Sequence, residues 1–76
     1  MTLDQLLCNQ KAKITGFDPL FLELETRLRE IGFSEGDEVT VLHFGPIGKN
    51  PMSIKLNGAL IALRKNEAKY IFVKLL

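Results

Sequence analysis

Ser53-Ile54-Lys55-Leu56-Asn57-Gly58-Ala59-Leu60-Ile61-Ala62-Leu63 reads as two short strands joined by a two-residue turn. Both positions of such a turn need a positive φ, and Asn and Gly are the residues that adopt it at least cost. Before the turn, Ser53-Ile54-Lys55-Leu56 alternates polar and apolar residues, the period of a strand with one buried face. After it, Ala59–Leu63 is the longest uninterrupted apolar run in the chain, at five residues. That suits a strand and falls far short of the roughly 20 residues a membrane helix needs.

Working outward, Ser34-Glu35-Gly36-Asp37 reads as a turn, and Glu38-Val39-Thr40-Val41 as a strand running toward Phe44. Gly45-Pro46-Ile47-Gly48-Lys49-Asn50-Pro51 reads as a loop, since its two prolines cannot donate to a ladder. Downstream, Asn66-Glu67-Ala68-Lys69 is a helical-type turn and residues 70–74 are a last strand. At the N-terminus, Thr2-x-x-Gln5 has capping-box form and Leu3, Leu6 and Leu7 recur at helical spacing, which predicts a short helix over 3–8. Ala12-Lys13-Ile14-Thr15 alternates as a first strand ending near Gly16. Asp18-Pro19 is a helix start, and Leu20, Leu24, Leu28 and Ile31 continue it as a stripe that Gly32 stops. The main helix is therefore expected over 19–31, with Glu23–Arg27 and Glu25–Arg29 as i,i+4 ion pairs. Five short strands and one main helix predict a mainly β fold, a small barrel whose closure removes exposed edges.

The chain has 76 residues, 46% apolar and 25% charged, which is globular composition and sets a single domain over 1–76. Ten Lys/Arg against nine Asp/Glu leave a net charge of +1, which argues against phosphate-driven nucleic-acid binding and a polybasic membrane anchor. Cys8 is the only cysteine, so no intramolecular disulfide forms. The early Asp4 and the lack of a basic N-terminal region do not fit a signal peptide. The expected setting is cytoplasmic, without membrane insertion.

Catalytic constellations are missing from the sequence. There is no nucleophile elbow, no phosphate-cradling Gly-rich loop and no Cys-x-x-Cys pair. His43, the sole histidine, reads as a strand residue near the rim; a metal ligand or base would need partners that the composition does not supply. Cys8 reads as a small buried hydrophobe, with a nucleophile as the alternative. Glu35, Asp37 and Glu38 form an acidic turn with too few oxygens for a calcium loop. No catalytic residue, cofactor site or metal site is assigned.

Two apolar groups exceed what one core uses. Strand phase sends Val39, Val41, Ile54, Leu56, Ile61, Leu63, Ile71 and Val73 inward. It leaves Leu60, Tyr70 and Phe72 on the other face, joined by Leu42 and Phe44. Leu20-Phe21-Leu22 is a consecutive apolar triplet, and its alternatives are a contact surface or packing on Phe17 or Phe33. The candidate partner surface comprises Leu20, Phe21, Leu22, Arg27, Phe44, Ile47, Arg64, Tyr70 and Phe72. Self-association is the favoured use of the Phe44, Tyr70 and Phe72 face, burying apolar surface that one small barrel cannot cover. A proline-rich peptide groove is disfavoured, because the chain has no Trp and one Tyr.

The order of motifs resembles the ferrous iron transport protein A (FeoA) family. The resemblance lies in Leu3-x-x-Leu6, Arg27-Leu28-x-Glu30-x-Gly32-Phe33-x-x-Gly36-x-x-Val39, Pro46-x-Gly48-x-Asn50-Pro51, Gly58-x-x-Ile61-Ala62-Leu63-Arg64 and Glu67-Ala68-x-x-Ile71-x-Val73. It implies an SH3-like barrel in a bacterial cytosol, with no enzymatic activity of its own. It also implies a partner, the cytosolic G-protein domain of the ferrous iron permease FeoB. Two alternatives stay open. One is a GTPase-activating role using Arg64, Lys65 or Arg27, although Arg64, directly after a strand, reads first as a rim salt bridge with Glu67 or another acid. The other is a free-standing oligomerising or metal-sensing module, as in the C-terminal domains of iron-dependent repressors.

Overall fold

A computed structural model describes residues 1–76. The hairpin read from Asn57-Gly58 forms, with φ of 50° and 87° at the two turn positions. It joins β3 (Asn50–Leu56) to β4 (Ala59–Leu63). The other elements are β1 (Lys11–Phe17), α1 (Leu22–Ile31), β2 (Glu38–Ile47), the short helix α2 (Lys65–Ala68) and β5 (Ile71–Leu75), preceded by a 3-10 turn at Leu3–Gln5. The strands form one five-stranded antiparallel sheet in the order β4-β3-β2-β1-β5. No helix is long and apolar enough to cross a membrane.

The expected 45–51 loop is instead the end of a second hairpin. β2 runs through Pro46 to Ile47, which pairs with Asn50, and the turn between them is Gly48-Lys49 with φ of 61° and 63°. Pro46 is tolerated because the register shifts between Phe44 and Ile47, so no ladder donor is required there. Pro51 follows a cis peptide bond. A Cβ on Gly45 would run into the Asn50 carbonyl, so only glycine lets the two strands come this close.

Both helices are shorter than their sequence signals. The Asp18 carboxylate accepts from the Leu20 N–H at 2.9 Å, and the Asp18 carbonyl accepts from the Phe21 N–H at 3.3 Å. Asp18 thus closes a turn ahead of the helix, and α1 begins at Leu22 instead of at Pro19. Gly32 ends it as expected, its N–H donating to the Leu28 and Arg29 carbonyls at 3.1 Å. Of the stripe, Leu28 is buried and Leu24 half-buried, while Leu20 and Ile31 are exposed. At the N-terminus the capping box forms, with the Thr2 N–H donating to Gln5 Oε1 at 2.9 Å, but the helical turn ends at Gln5. Leu6 is extended and drops into the core. The chain then reverses at Asn9, whose φ is 69° and whose N–H donates to the Val41 carbonyl at 2.6 Å. Cys8 sits on this reversal and is exposed, contrary to the buried position expected for it.

Fifteen apolar residues form one buried cluster, and no polar or charged residue is buried with them. Every inward strand residue read from the alternation is in it except Ile61, which is half-buried. β4 and β5 do not pair with each other. On the β5 side of the gap lie α2 and the N-terminal turn, which pack together, with Leu3 and Leu6 fully buried. This arrangement fixes α2, and with it Arg64 and Glu67, beside the start of α1.

Candidate functional site

The segment leading into α1 exposes large apolar side chains next to a concave surface. Leu20 is 81% exposed and Leu22 67%. Between them Phe21 turns its ring onto Tyr70, with centroids 4.2 Å apart and planes tilted by 43°. Phe21 thus pairs its ring with Tyr70, and with neither Phe17 nor Phe33. Phe33 is core, and Phe17 lies 4.8 Å below the Arg29 guanidinium.

Phe21 and Tyr70 form one wall of a groove of about 590 Å³. Leu24 and Arg27 of α1 line it from one side, and Arg64, Glu67 and Lys69 around α2 from the other. A second hollow of about 510 Å³ adjoins it, lined by Ile47, Asn50, Pro51 and Leu63 and sharing Arg64 and Glu67. The two are held in register by the Lys65 N–H, which donates to Asn50 Oδ1 at 2.8 Å and so ties the β2–β3 hairpin to α2.

The charges pair differently from the sequence expectation. Arg27 reaches across the groove to Glu67, at 3.4 Å, and makes no pair with Glu23. The other Glu67 oxygen accepts from the Arg64 N–H at 3.1 Å, which closes the first turn of α2. The Arg64 side chain has no acidic partner and is free at the junction of the two hollows. Only Glu25–Arg29 forms as an i,i+4 pair, at 3.0 Å, and Arg29 adds Glu35 at 2.7 Å. Together these two carboxylates, Glu25 first, raise the Arg29 pKa further above its ordinary value.

Four of the nine sequence-predicted surface residues, Phe21, Arg27, Arg64 and Tyr70, line the same groove, and Ile47 lines the adjoining hollow. Leu20 and Leu22 flank it without lining it. Phe44 is half-buried against the core beneath Lys49, and Phe72 lies on β5 opposite Gly16. Sequence reasoning missed Asn50 and Lys69 as parts of these walls. The Asn50 position had a signal, an Asn-Pro step after a Gly turn, but its side-chain bond to α2 spans 15 positions.

The remaining reactive groups are dispersed. His43 Nε2 lies 3.2 Å from the Ser53 hydroxyl in a cross-strand pair. The acidic turn is divided, with Glu35 on Arg29 and Asp37 accepting from the Ser34 N–H and hydroxyl at 3.0 Å. The Asn57 amide, followed by Ser34, holds the Asp37 carboxyl below the usual carboxylate range. No three His, Cys, Asp or Glu side chains are grouped to hold a metal ion.

The FeoA domain family profile matches residues 1–75. A Helicobacter pylori (strain J99) protein, named as a candidate Fe(2+) transport protein A, is 32% identical over 74 residues, covering 97% of this chain and 94% of its own. The solution structure of a FeoA-like protein from Clostridium acetobutylicum superposes with a TM-score of 0.91 at 28% identity, covering 100% of this chain and 86% of that one. The crystal structure of Stenotrophomonas maltophilia FeoA with zinc, described as an SH3 domain protein, has a TM-score of 0.83 at 34% identity, covering 97% and 89%. The partly open five-stranded barrel is thus the SH3-like fold that the motif order implied. With its fold, its motifs and nearly its whole length matched, the chain belongs to the FeoA family.

Proposed function

We propose that this chain is a non-enzymatic accessory module of ferrous iron uptake that docks on the cytosolic G-protein domain of the permease FeoB. The observation that carries the reading is the exposed Leu20–Leu22 segment beside a groove edged by Arg27, Arg64 and Lys69. Burying one leucine side chain contributes about 1.5–3 kcal/mol, so this short segment is enough to anchor a modest interface. With Arg27 paired to Glu67, the cations left for an acidic group of the partner are Arg64 and Lys69, which would set orientation and association rate more than affinity. The relatives named for Fe(2+) transport support the same system. Iron in this reading is the cargo of the permease, not a ligand of this chain.

The test is affinity for the purified permease G-domain. Leu22→Glu and Phe21→Glu are expected to weaken binding by tenfold or more with the fold retained by circular dichroism. Unchanged binding by both variants removes the helix entry from the interface. A second reading rests on Arg64, whose guanidinium has no acidic partner and is available to a transition-state phosphate as an arginine finger. GTP turnover by the G-domain, measured with and without this chain, separates the two. Acceleration lost in Arg64→Ala supports the finger, and no acceleration leaves docking alone. Anaerobic calorimetry with ferrous ion tests the metal-sensing alternative, with no stoichiometric binding expected.

A further inference from the structure

The two edges of the sheet are finished differently. On β5 the outer edge is occupied by the chain's own start: the Val73 N–H donates to the Met1 carbonyl at 2.9 Å, and Thr2 bridges Phe72. On β4 nothing does this. In a hairpin closed by a two-residue turn the flanking residues exchange both hydrogen bonds, so Leu56 and Ala59 form such a pair. Alternation makes Ile54 with Ile61 and Met52 with Leu63 the next ones. The N–H and C=O groups of Leu60 and Ala62 therefore point away from β3, and no turn, loop or cap hydrogen bond reaches either residue.

This edge also lacks the usual guards. Residues 59–63 contain no charge and no proline, and the β3–β4 register runs without a bulge. Leu60 is 76% exposed, and Ala59 and Ala62 are exposed with it. Beside them on the outer face is a hollow of about 290 Å³ lined by Leu42, His43, Ser53, Leu60, Ile61 and Ala62.

We propose that β4 is a homotypic interface, pairing antiparallel with β4 of a second copy about a two-fold axis at Ile61. That register sets each Leu60 opposite an Ala62, so the four free backbone groups of each copy all find partners. The large side chain meets the small one, and Leu60 of the second copy lies against the hollow beside Ala62. The charges agree with this occupant. Arg64 falls opposite Gly58 of the second copy, so the two arginines are not apposed, and the uncharged strand brings no like charges together. The result is a continuous ten-stranded sheet in which the Phe21–Tyr70 wall lies outside the pairing, while Ala62 and Arg64 of the adjoining hollow lie beside it.

Sedimentation equilibrium of the full chain from micromolar to millimolar concentration tests this, with hydrogen exchange at the Leu60 and Ala62 amides as the site-specific readout. A monomer–dimer equilibrium is expected, with both amides more protected at high concentration. Leu60→Lys places a charge on the edge, and Ala62→Pro removes an outward donor without touching the β3 ladder; each is expected to weaken dimerisation at least about tenfold. Circular dichroism confirms that each variant is folded. A monomer throughout the range overturns the proposal. So does a dimer that both folded variants leave unchanged, or concentration-dependent protection confined to other amides.

Discussion

The two hairpins around β3 have the same turn geometry and opposite duties. Both use two residues at positive φ, Asn57-Gly58 at one end and Gly48-Lys49 at the other. The β3–β4 turn is regular, and its Asn57 amide lies near enough to Asp37 to lower the carboxyl pKa. The β2–β3 hairpin is bulged, contains two prolines and delivers Ile47 and Asn50 to the walls beside Arg64. The register shift between Phe44 and Ile47 thus lies where the chain forms its candidate contact groove, whereas the regular hairpin leaves a straight outer edge free for pairing.

Gly45→Ala is the harshest way to break that comparison. The added Cβ meets the Asn50 backbone, which cannot rotate away as a side-chain end would. A loss of about 3 kcal/mol is expected by chemical denaturation, with the β2–β3 hairpin displaced. At the other hairpin, Asn57→Ala loses the residue that tolerates positive φ, for an expected loss of about 1–2 kcal/mol. If the two cost the same, the distinction between a strained and a regular hairpin fails.

Asn50→Ala separates the hairpins by function. It frees the Lys65 N–H at the start of α2, where losing a cap-type acceptor costs about 1 kcal/mol. Because the same bond positions α2 and Arg64 against the hollow, weaker binding to the permease G-domain is expected as well. Asn57→Ala, of similar cost, is expected to leave that affinity unchanged. Equal effects on affinity would mean that stability alone, not placement of α2, governs docking.

The same contrast explains what the sequence made legible. Asn57-Gly58 combines the right residues with clean alternation on both sides, so local chemistry and tertiary outcome coincide. Gly48-Lys49 has a lysine at a positive-φ position, and the flanking prolines argued for a loop; the strands form there because Gly45 and the bulge admit them. Asp18-Pro19 misled in the opposite direction, since Asp18 closes a turn just as readily as it caps a helix. Within the site, apolar surplus located Phe21 and Tyr70, while the Arg27–Glu67 and Asn50–Lys65 links depend on contacts 40 and 15 positions apart. No periodicity encodes such pairs. Cys8 was misread because its burial turned on a helix that stops three residues earlier.

The smallest expected effect probes the regular hairpin through its charge. The nearby Asn57 amide and then the Ser34 hydrogen bonds favour ionised Asp37 in the folded state, so its folded pKa lies below its unfolded one. A depressed carboxylate contributes stability that is fully present above the unfolded value and fades as pH falls through the folded one. Asp37→Ala is therefore expected to lower Tm slightly near neutrality, with the difference from the parent shrinking once pH drops below about 4. The site is exposed, so the gap is also expected to narrow in high salt. Carboxyl titration by NMR gives the sharper test, because Asn57 is the largest cause of the shift. In Asn57→Ala the Asp37 titration should move up toward the ordinary carboxylate range, whereas in Asn50→Ala it should stay where it is. A shift in both would mean that the two hairpins are coupled through the sheet, and their division of duties would not hold.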